Sequence, residues 1–486
     1  MQKRIVAYYV GQLFIVLSFF MLAPLAFAYV DHSQASLNAF SFSMGFSLCL
    51  GILFRYMAHR MEVNIHSISR KDAFGIVGIG WVGCGIVSGL PFFLEGSIAS
   101  IPSATFEAIS GLTTTGATVI SDIESLSRAT HFWRVLLHWI GGMGIVVLFV
   151  AIFPQLGLGG KHLFKSEVAG PITEGLKPRI KQTALRLWWV YMFFTASCAG
   201  LLFLSGLSWF DSVCHAFSTL STGGFSTKAA SVGAFENPVA EWIIIAFMFT
   251  GGLNFGLYYG LFRGQLGKLF ASVELRFFMG LNFFVACMIF LMTTGFEGHN
   301  WHEEFRDALF QTAAVTTTTG LMTADFDTYP LVSKYLLFLC MFIGGCAGST
   351  AGGLKVSRVL IIFKRCVQEL RLTLHPHEVV STKLGRQTIP RRVISSVFIF
   401  VCSYFLLYLF GVFLMFSLGL DWTSASSSVV ASLSSVGPGF GAVGPTQSYE
   451  FIHPIGKYIL CFYMIAGRLE IFVLLSLFTP SFWRKG

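Results

Sequence analysis

Ten apolar stretches run through this chain of 486 residues, at about 6–29, 36–58, 72–94, 131–153, 184–206, 239–262, 274–295, 335–363, 393–418 and 458–478. Most are near the ~20 residues a helix needs to cross the hydrocarbon of a bilayer. Inside hydrocarbon a backbone must satisfy its own N–H and C=O groups, which only helices and closed barrels do, and runs of this length suit helices. The chain therefore reads as an all-α polytopic membrane protein embedded in a lipid bilayer. Composition agrees: 54% apolar residues, 12% charged residues and 52 Phe exceed what a soluble fold of this size uses. The first run is long, is followed by others and lacks a small-residue cleavage site, so it reads as an anchor and not a signal peptide. An even number of crossings puts both termini on one side.

Charge selects that side. With a cytoplasmic N-terminus, most of the 33 Lys and Arg fall on inner segments and most of the 24 Asp and Glu fall outside, as the positive-inside rule expects. The net charge of +9 then reflects topology and anionic inner-leaflet lipid, and nucleic acid is not an expected partner. A negative outer face also concentrates cations at a pore mouth. The ten Cys form no C-x-x-C pair and sit mostly in apolar runs, as small buried residues do. His375 and His377 lie in a basic loop without further ligands and read as solvated. No nucleophile elbow, metal spacing or phosphate-binding Gly-Lys-Ser/Thr is present, which argues against an enzyme and against a bound cofactor.

Four glycine-centred polar runs interrupt the apolar pattern: Thr114-Thr115-Gly116-Ala117, Ser221-Thr222-Gly223-Gly224, Thr318-Thr319-Gly320-Leu321 and Ser435-Val436-Gly437-Pro438. Each follows a short segment of helix length, at about 101–112, 210–220, 302–315 and 422–433, and precedes a long apolar stretch. Ser103, Asp211, Glu303 and Asp421 near the starts of these segments suit helix N-termini, so the negative C-terminal ends point at the glycine runs. A single run of this kind would read as a tight turn. The glycines recur 107, 97 and 117 residues apart, in phase with the apolar pattern. Non-helical backbone at membrane depth must line a water-filled path or be buried in protein, and rings of backbone carbonyls are how cation filters are built. Glycine tolerates the backbone angles that aim a carbonyl at an ion. The candidate filter is thus Thr114, Thr115 and Gly116, with Ser221, Thr222 and Gly223, Thr318, Thr319 and Gly320, and Ser435, Val436 and Gly437.

These runs divide the chain into two N-terminal spans with a basic linker (1–71) and four units of span, re-entrant helix and span, at 72–183, 184–273, 274–389 and 390–486. Every unit starts and ends inside. Parallel units with loops entering from one side suggest a pore of pseudo-fourfold symmetry, whereas inverted units would suggest an alternating-access carrier.

A second unusual stretch lies in the longest apolar run. Gly344, Gly345, Gly348, Gly352 and Gly353, with Ser349 and Thr350 between them, cost a helix about 1 kcal/mol per glycine relative to alanine. Two readings stand. Gly344-x-x-x-Gly348-x-x-x-Gly352 is a doubled close-packing motif for membrane helices. Alternatively the run 335–363, too long for one straight crossing, unwinds here. Arg468 lies mid-span and needs a partner. It either faces the pore, as an electrostatic barrier or a partner of the glycine-rich loop, or makes a structural ion pair between helices. Glu470, two residues on, points elsewhere on its helix and is placed to accept from that loop or from Lys355.

The chain resembles the Trk/Ktr/HKT superfamily of potassium transporters over nearly its whole length. The resemblance rests on SGLTTTGAT at 110–118, HWIGGMGIVVL at 138–148, HAFSTLSTGGFST at 215–227, FIGGCAGSTAGGLK at 342–355, SVGPGFG at 435–441 and AGRLEIFVLLSLFTP at 466–480. The two leading spans match the TrkH/TrkG branch. The resemblance implies potassium uptake through a bacterial inner-membrane homodimer, with one pore per protomer and the glycine loops as a potassium filter. It implies that the 344–353 run gates the pore and that a TrkA-like nucleotide-binding ring docks on the basic inner segments 154–183 and 364–392. In the family a serine at the first loop glycine accompanies sodium permeation, and this chain has glycine. Two departures stand out: Ser434 and Ser435 replace an expected Asn before the fourth loop, and Lys228 adds positive charge near the mouth. Coupled symport of potassium with protons or sodium is the competing reading, disfavoured by the small number of carboxylates deep within spans.

Overall fold

A computed structural model describes residues 1–59, 69–151, 176–261, 264, 267, 271–293, 300–378, 381–385 and 387–484. Residues 60–68 of the predicted basic linker and most of the inner segment 154–183 lie outside the described residues.

Among the described residues, six helices are long and apolar enough to cross a membrane: Lys3–Val30, Gln34–Ala58, Lys71–Glu95, Ala184–Leu204, Val273–Thr293 and Arg391–Ser417. In finer detail the first is α1 (Lys3–Phe20) and α2 (Leu22–Val30), followed by α3 (Gln34–His59) and α4 (Arg70–Glu95). α4 opens on a capping box in which the Ser69 hydroxyl accepts from the Asp72 amide and the Asp72 carboxylate accepts from the Ser69 amide. Large apolar side chains stay exposed along these helices, among them Phe42, Ile52, Phe398, Leu406 and Phe413. Such continuous apolar surface marks a lipid-facing wall.

The four predicted short helices are all present: α5 (Ile101–Leu112), α8 (Trp209–Leu220), α12 (Trp301–Thr316) and α16 (Trp422–Ser434). Ser100, Ser208 and Asp421 cap three of them, so Ser103 and Asp211 are third-position residues and not caps. Each short helix is preceded by a long one, namely α4, α7 (Leu176–Leu204), α11 (Val273–Thr293) and α15 (Arg391–Ser417). Each is followed by another, namely α6 (Arg128–Ala151), α9 (Pro238–Gly252), α13 (Leu331–Met341) and α17 (Pro454–Arg468).

The packing runs in a circle. Each short helix touches the long helix before it and the helix after it, and also the trailing helix of the neighbouring unit: α5 against α17, α8 against α6, α12 against α9 and α16 against α13. Their buried faces share one apolar cluster that extends from Val6 to Leu474.

Of the apolar runs that follow the glycine loops, two break where plain spans were expected, and 335–363 unwinds as one of its two readings had it. α6 continues to Ala151, but the run 239–262 breaks after Gly252 and resumes as α10 (Phe255–Leu261). The run 335–363 is interrupted between Met341 and Val356, where α14 (Val356–Leu374) begins, and 458–478 breaks at Leu469-Glu470 before α18 (Ile471–Ser476) and α19 (Pro480–Trp483). Gly251 and Gly252 stand at the first of these breaks and five glycines within the second, each costing a helix about 1 kcal/mol relative to alanine, whereas the third falls at Glu470, whose φ is +67°. The inner segment 364–392, expected as a loop, carries the end of α14 and a two-residue ribbon pairing Lys383–Leu384 with Gln387–Thr388.

Candidate functional site

All four short helices end in the same way. The C-terminal residues Thr114, Thr222, Thr318 and Ser435 adopt left-handed backbone, with φ of 55°, 56°, 56° and 58°. Each donates its amide to a carbonyl three residues back, and the next residue donates to a carbonyl five back: Thr115 to Ser110, Gly223 to Ser218, Thr319 to Ala314 and Val436 to Ala431. This is a Schellman ending, whose left-handed position is normally glycine. Here three threonines and a serine hold it, at a strain of about 1–3 kcal/mol each.

Two residues after the left-handed position stand Gly116, Gly224, Gly320 and Gly437, with φ of 83°, 90°, 70° and 95°. The second loop is therefore one residue out of the phase assigned from sequence. Its ring glycine is Gly224, and Gly223 corresponds to Thr115, Thr319 and Val436. Two adjacent glycines made the sequence ambiguous there.

The four loops meet. A methyl group added to Gly116 would stand 2.2 Å from the carbonyl oxygen of Gly223; on Gly224, 2.3 Å from that of Thr319; on Gly320, 2.0 Å from that of Val436; and on Gly437, 2.5 Å from that of Thr115. Each glycine thus leans on a carbonyl of the next loop, and the fourth returns to the first. A cavity of about 60 Å³ opens onto all four of these glycines and is also lined by Lys228. The filter residues proposed from sequence are brought together, apart from Ser221, which occupies the helix-cap position of its loop.

Polar side chains that sequence reading missed support the loops from behind. His138 lies against the second loop, its Nδ1 2.7 Å from the Gly111 carbonyl and its Nε2 accepting from the Phe225 amide at 3.3 Å. A methyl on Gly223 would strike this ring at 2.3 Å. Arg134 and Glu107 form a fully buried ion pair, Nε to Oε1 2.9 Å, and the guanidinium also reaches the Ser226 carbonyl and stacks over Phe225. Arg306 and Glu241 pair at 2.5 Å between α12 and α9. The available signal was a charged residue inside or beside an apolar run, which needs a partner by default.

The stretch from Phe342 to Lys355 is non-helical and packs against the C-terminal ends of the short helices. The doubled glycine spacing therefore does not build a helix-packing face here. The Gly352 amide donates to the Thr318 hydroxyl at 2.7 Å, and the Thr350 hydroxyl donates to the Leu220 and Gly251 carbonyls at 3.0 Å. Gly345 and Gly344 sit where a methyl would meet the Gly252 and Gly352 carbonyls, Gly348 and Gly353 have positive φ, and Ser349 bonds the Cys346 carbonyl. Glu274, at the start of α11, accepts from the amides of Ala347 and Ser357 at 2.7 and 3.2 Å and so ties the middle of the stretch and the first turn of α14 to one carboxylate.

Arg468 is buried and donates to the Thr350 carbonyl at 2.5 Å and to the Gly141 carbonyl at 3.2 Å. Of the readings offered for it, contact with the glycine-rich loop is the one the geometry contains, and its hydrogen-bonding partners are carbonyls. Glu470 does not accept from that loop or from Lys355. It takes the guanidinium of Arg358, with both oxygens at 2.7 Å, while the Lys355 ammonium bonds the Ala351 carbonyl. The φ of +67° at Glu470 marks the break after Arg468 and turns the carboxylate toward α14.

A family model described as "Cation transport protein", TrkH, matches residues 45–485. The chain is 39% identical to the Trk system potassium uptake protein TrkH of Salmonella typhimurium strain LT2, over all of both chains. It is 34% identical to the Trk system potassium uptake protein TrkG of Escherichia coli K12, over 99% of each. Among solved structures it superposes on the potassium transporter TrkH from Vibrio parahaemolyticus with a TM-score of 0.91 and 36% identity, covering 100% of both chains. These relatives are transport proteins and not enzymes. The chain belongs to the TrkH family of cation transport proteins.

Proposed function

We propose that this protein is the membrane-spanning subunit of a Trk-type system that takes up potassium across the bacterial inner membrane through a pore in each protomer of a homodimer. In this reading the four units are parallel repeats around a pseudo-fourfold axis, with both termini in the cytoplasm. Potassium passes between the four loops, where backbone carbonyls replace its water. The supporting helices aim their negative C-terminal ends at the ion. The 344–353 stretch is the gate. Arg468 holds it closed through the Thr350 carbonyl, and Lys355 and the Arg358–Glu470 pair lie beside it. A TrkA-like nucleotide-binding ring on the cytoplasmic side moves that gate. Potassium is cargo, and no cofactor is required.

The observation that carries this reading is the closed circuit of glycine-to-carbonyl contacts among the four loops. Strict coupling to protons finds little support. Glu107 is paired with Arg134, Glu241 with Arg306 and Glu470 with Arg358, and Glu274 accepts two backbone amides. The test is expression in bacteria deprived of their own potassium uptake. Growth at low potassium and rubidium uptake should be restored, and single-channel recordings of the purified protein with its partner ring should show discrete potassium openings. Uptake with no potassium preference, or strictly stoichiometric flux without openings, would overturn it.

A further inference from the structure

Three of the short helices place a polar side chain seven residues before the left-handed position of their own loop: Glu107, His215 and Gln311. The fourth places Ser427 eight residues before its own. All four are almost completely buried. Their polar atoms converge on one place in each loop, the limb that leaves the ring four to six residues after the left-handed position.

In the first loop the Val119 amide donates to the Glu107 carboxylate at 2.9 Å and the Thr118 hydroxyl donates to the same group. In the second, His215 Nδ1 meets the Asp211 carbonyl at 2.8 Å, which places the proton there. Its Nε2 is then left to accept from the Ser226 hydroxyl at 2.9 Å, and that oxygen in turn accepts from the Lys228 amide. In the third, the Gln311 side-chain amide donates to the Ala324 carbonyl at 3.0 Å and to the Thr323 hydroxyl. In the fourth, the Ser427 hydroxyl accepts from the Phe440 amide at 2.9 Å, while its one proton is shared between the Thr423 carbonyl at 2.7 Å and the Phe440 carbonyl at 3.1 Å. Four chemically different groups thus perform one geometric task. The task binds the outgoing limb of the loop to the helix that delivers the incoming limb.

Resting on the reading of the ring as the ion path, we propose that Glu107, His215, Gln311 and Ser427 are positioning residues that set the size of the ring and hence the preference for potassium over sodium. A carbonyl ring discriminates between ions only if it resists closing on the smaller one. The Schellman ending fixes one limb of each loop, and these side chains fix the other. At or just beyond the braces the same limbs are tied again to their own helices, by the Thr227 hydroxyl on Asp211, the Thr323 hydroxyl on Asp307 and the Ala442 amide on the Ser424 hydroxyl. The braces also differ in strength. The first three limbs each reach a carboxylate of their own helix, Glu107, Asp211 or Asp307, and bonds to a carboxylate are about twice as strong as the neutral Ser427 bonds of the fourth. Resistance to closing is therefore uneven around the ring, and the fourth loop is where it yields first.

The test uses the full-length protein in cells lacking their own potassium uptake, with rubidium influx measured against increasing sodium and folded protein assessed by gel filtration. Gln311→Met keeps the length and removes the donor. Ser427→Ala removes the hydroxyl with almost no change of volume. Each should lower the preference for rubidium over sodium by about tenfold, the scale of one unsatisfied buried carbonyl or amide, while maximal rubidium influx stays within about twofold. If Gln311→Met does not fold, Ser427→Ala decides. A well-folded variant with unchanged preference, or one in which influx of both ions falls together, overturns the proposal. If the unmodified protein itself shows no preference, it is the reading of the ring as a potassium path that fails.

Discussion

At Thr114, Thr222, Thr318 and Ser435 a β-carbon occupies backbone space that usually belongs to glycine, whereas true glycines stand two positions further on. The division follows from what surrounds each site. The ring glycines face a neighbouring carbonyl closer than any β-carbon tolerates, so strain from a side chain is accepted at one position and excluded at the other. Gly116→Ser is expected to push against the Gly223 carbonyl and open the first carbonyl set, so that sodium competes with rubidium about tenfold better, as read in uptake or reversal potentials. Gly223→Ala should fail differently. Its methyl collides with His138 and not with a carbonyl, so folded yield should fall, and pairing it with His138→Ala should recover part of that yield, the interaction energy of a double-mutant cycle. The sequence disclosed that four glycine loops exist and roughly where. It did not disclose the phase of the second, because Gly223 and Gly224 are indistinguishable until their φ angles and neighbours are known. Nor did it disclose Glu107, Arg134, His138 or Glu274, whose partners lie 11 to 92 residues away and are joined only by the fold.

Among the elements, the short helices were legible because their polar ends and apolar lengths follow local rules, and α5 has the bounds read from sequence. Breaks in the helices behind them were less so. A hydropathy run records how apolar a segment is, and Leu253, Leu469 and Phe342 are apolar whether or not their backbone is helical. The longest run announced its break through excess length, and the others had no such sign. The stretch between α13 and α14 is held by Glu274, by the Thr318 and Thr350 hydroxyls and by Arg468, each worth on the order of 1–3 kcal/mol. An element secured at that level has alternatives within reach of a docked partner. If the proposed gate is right, deleting part of 345–351 should raise rubidium influx in the absence of the proposed partner ring without changing the ratio of rubidium to sodium uptake, and Arg468→Ala should act in the same direction more weakly. A folded deletion that remains silent without the ring would place the gate elsewhere.

For the molecule as a whole, the apolar runs were readable in the sequence, whereas the circular packing of the short helices was not, since contacts such as α5 with α17 join the first unit to the last. The buried Arg134–Glu107 pair braces that circle where the first and second units meet. Arg134→Ala leaves Glu107 unpaired in the interior and is expected to cost about 3–5 kcal/mol, observed as a markedly lower unfolding temperature in detergent. Closure of the loops has a further consequence for inheritance. Each glycine presses on the loop that follows it in the chain, and the fourth presses on the first, so the ring has a direction. Second-site suppressors of a bulky substitution at Gly116 should arise around Gly223, and those of one at Gly437 around Thr115, while loops across the opening stay silent. Four dissimilar loops in one polypeptide can thus compensate one another by single mutations, a freedom denied to a ring of identical subunits, where every change is made four times at once.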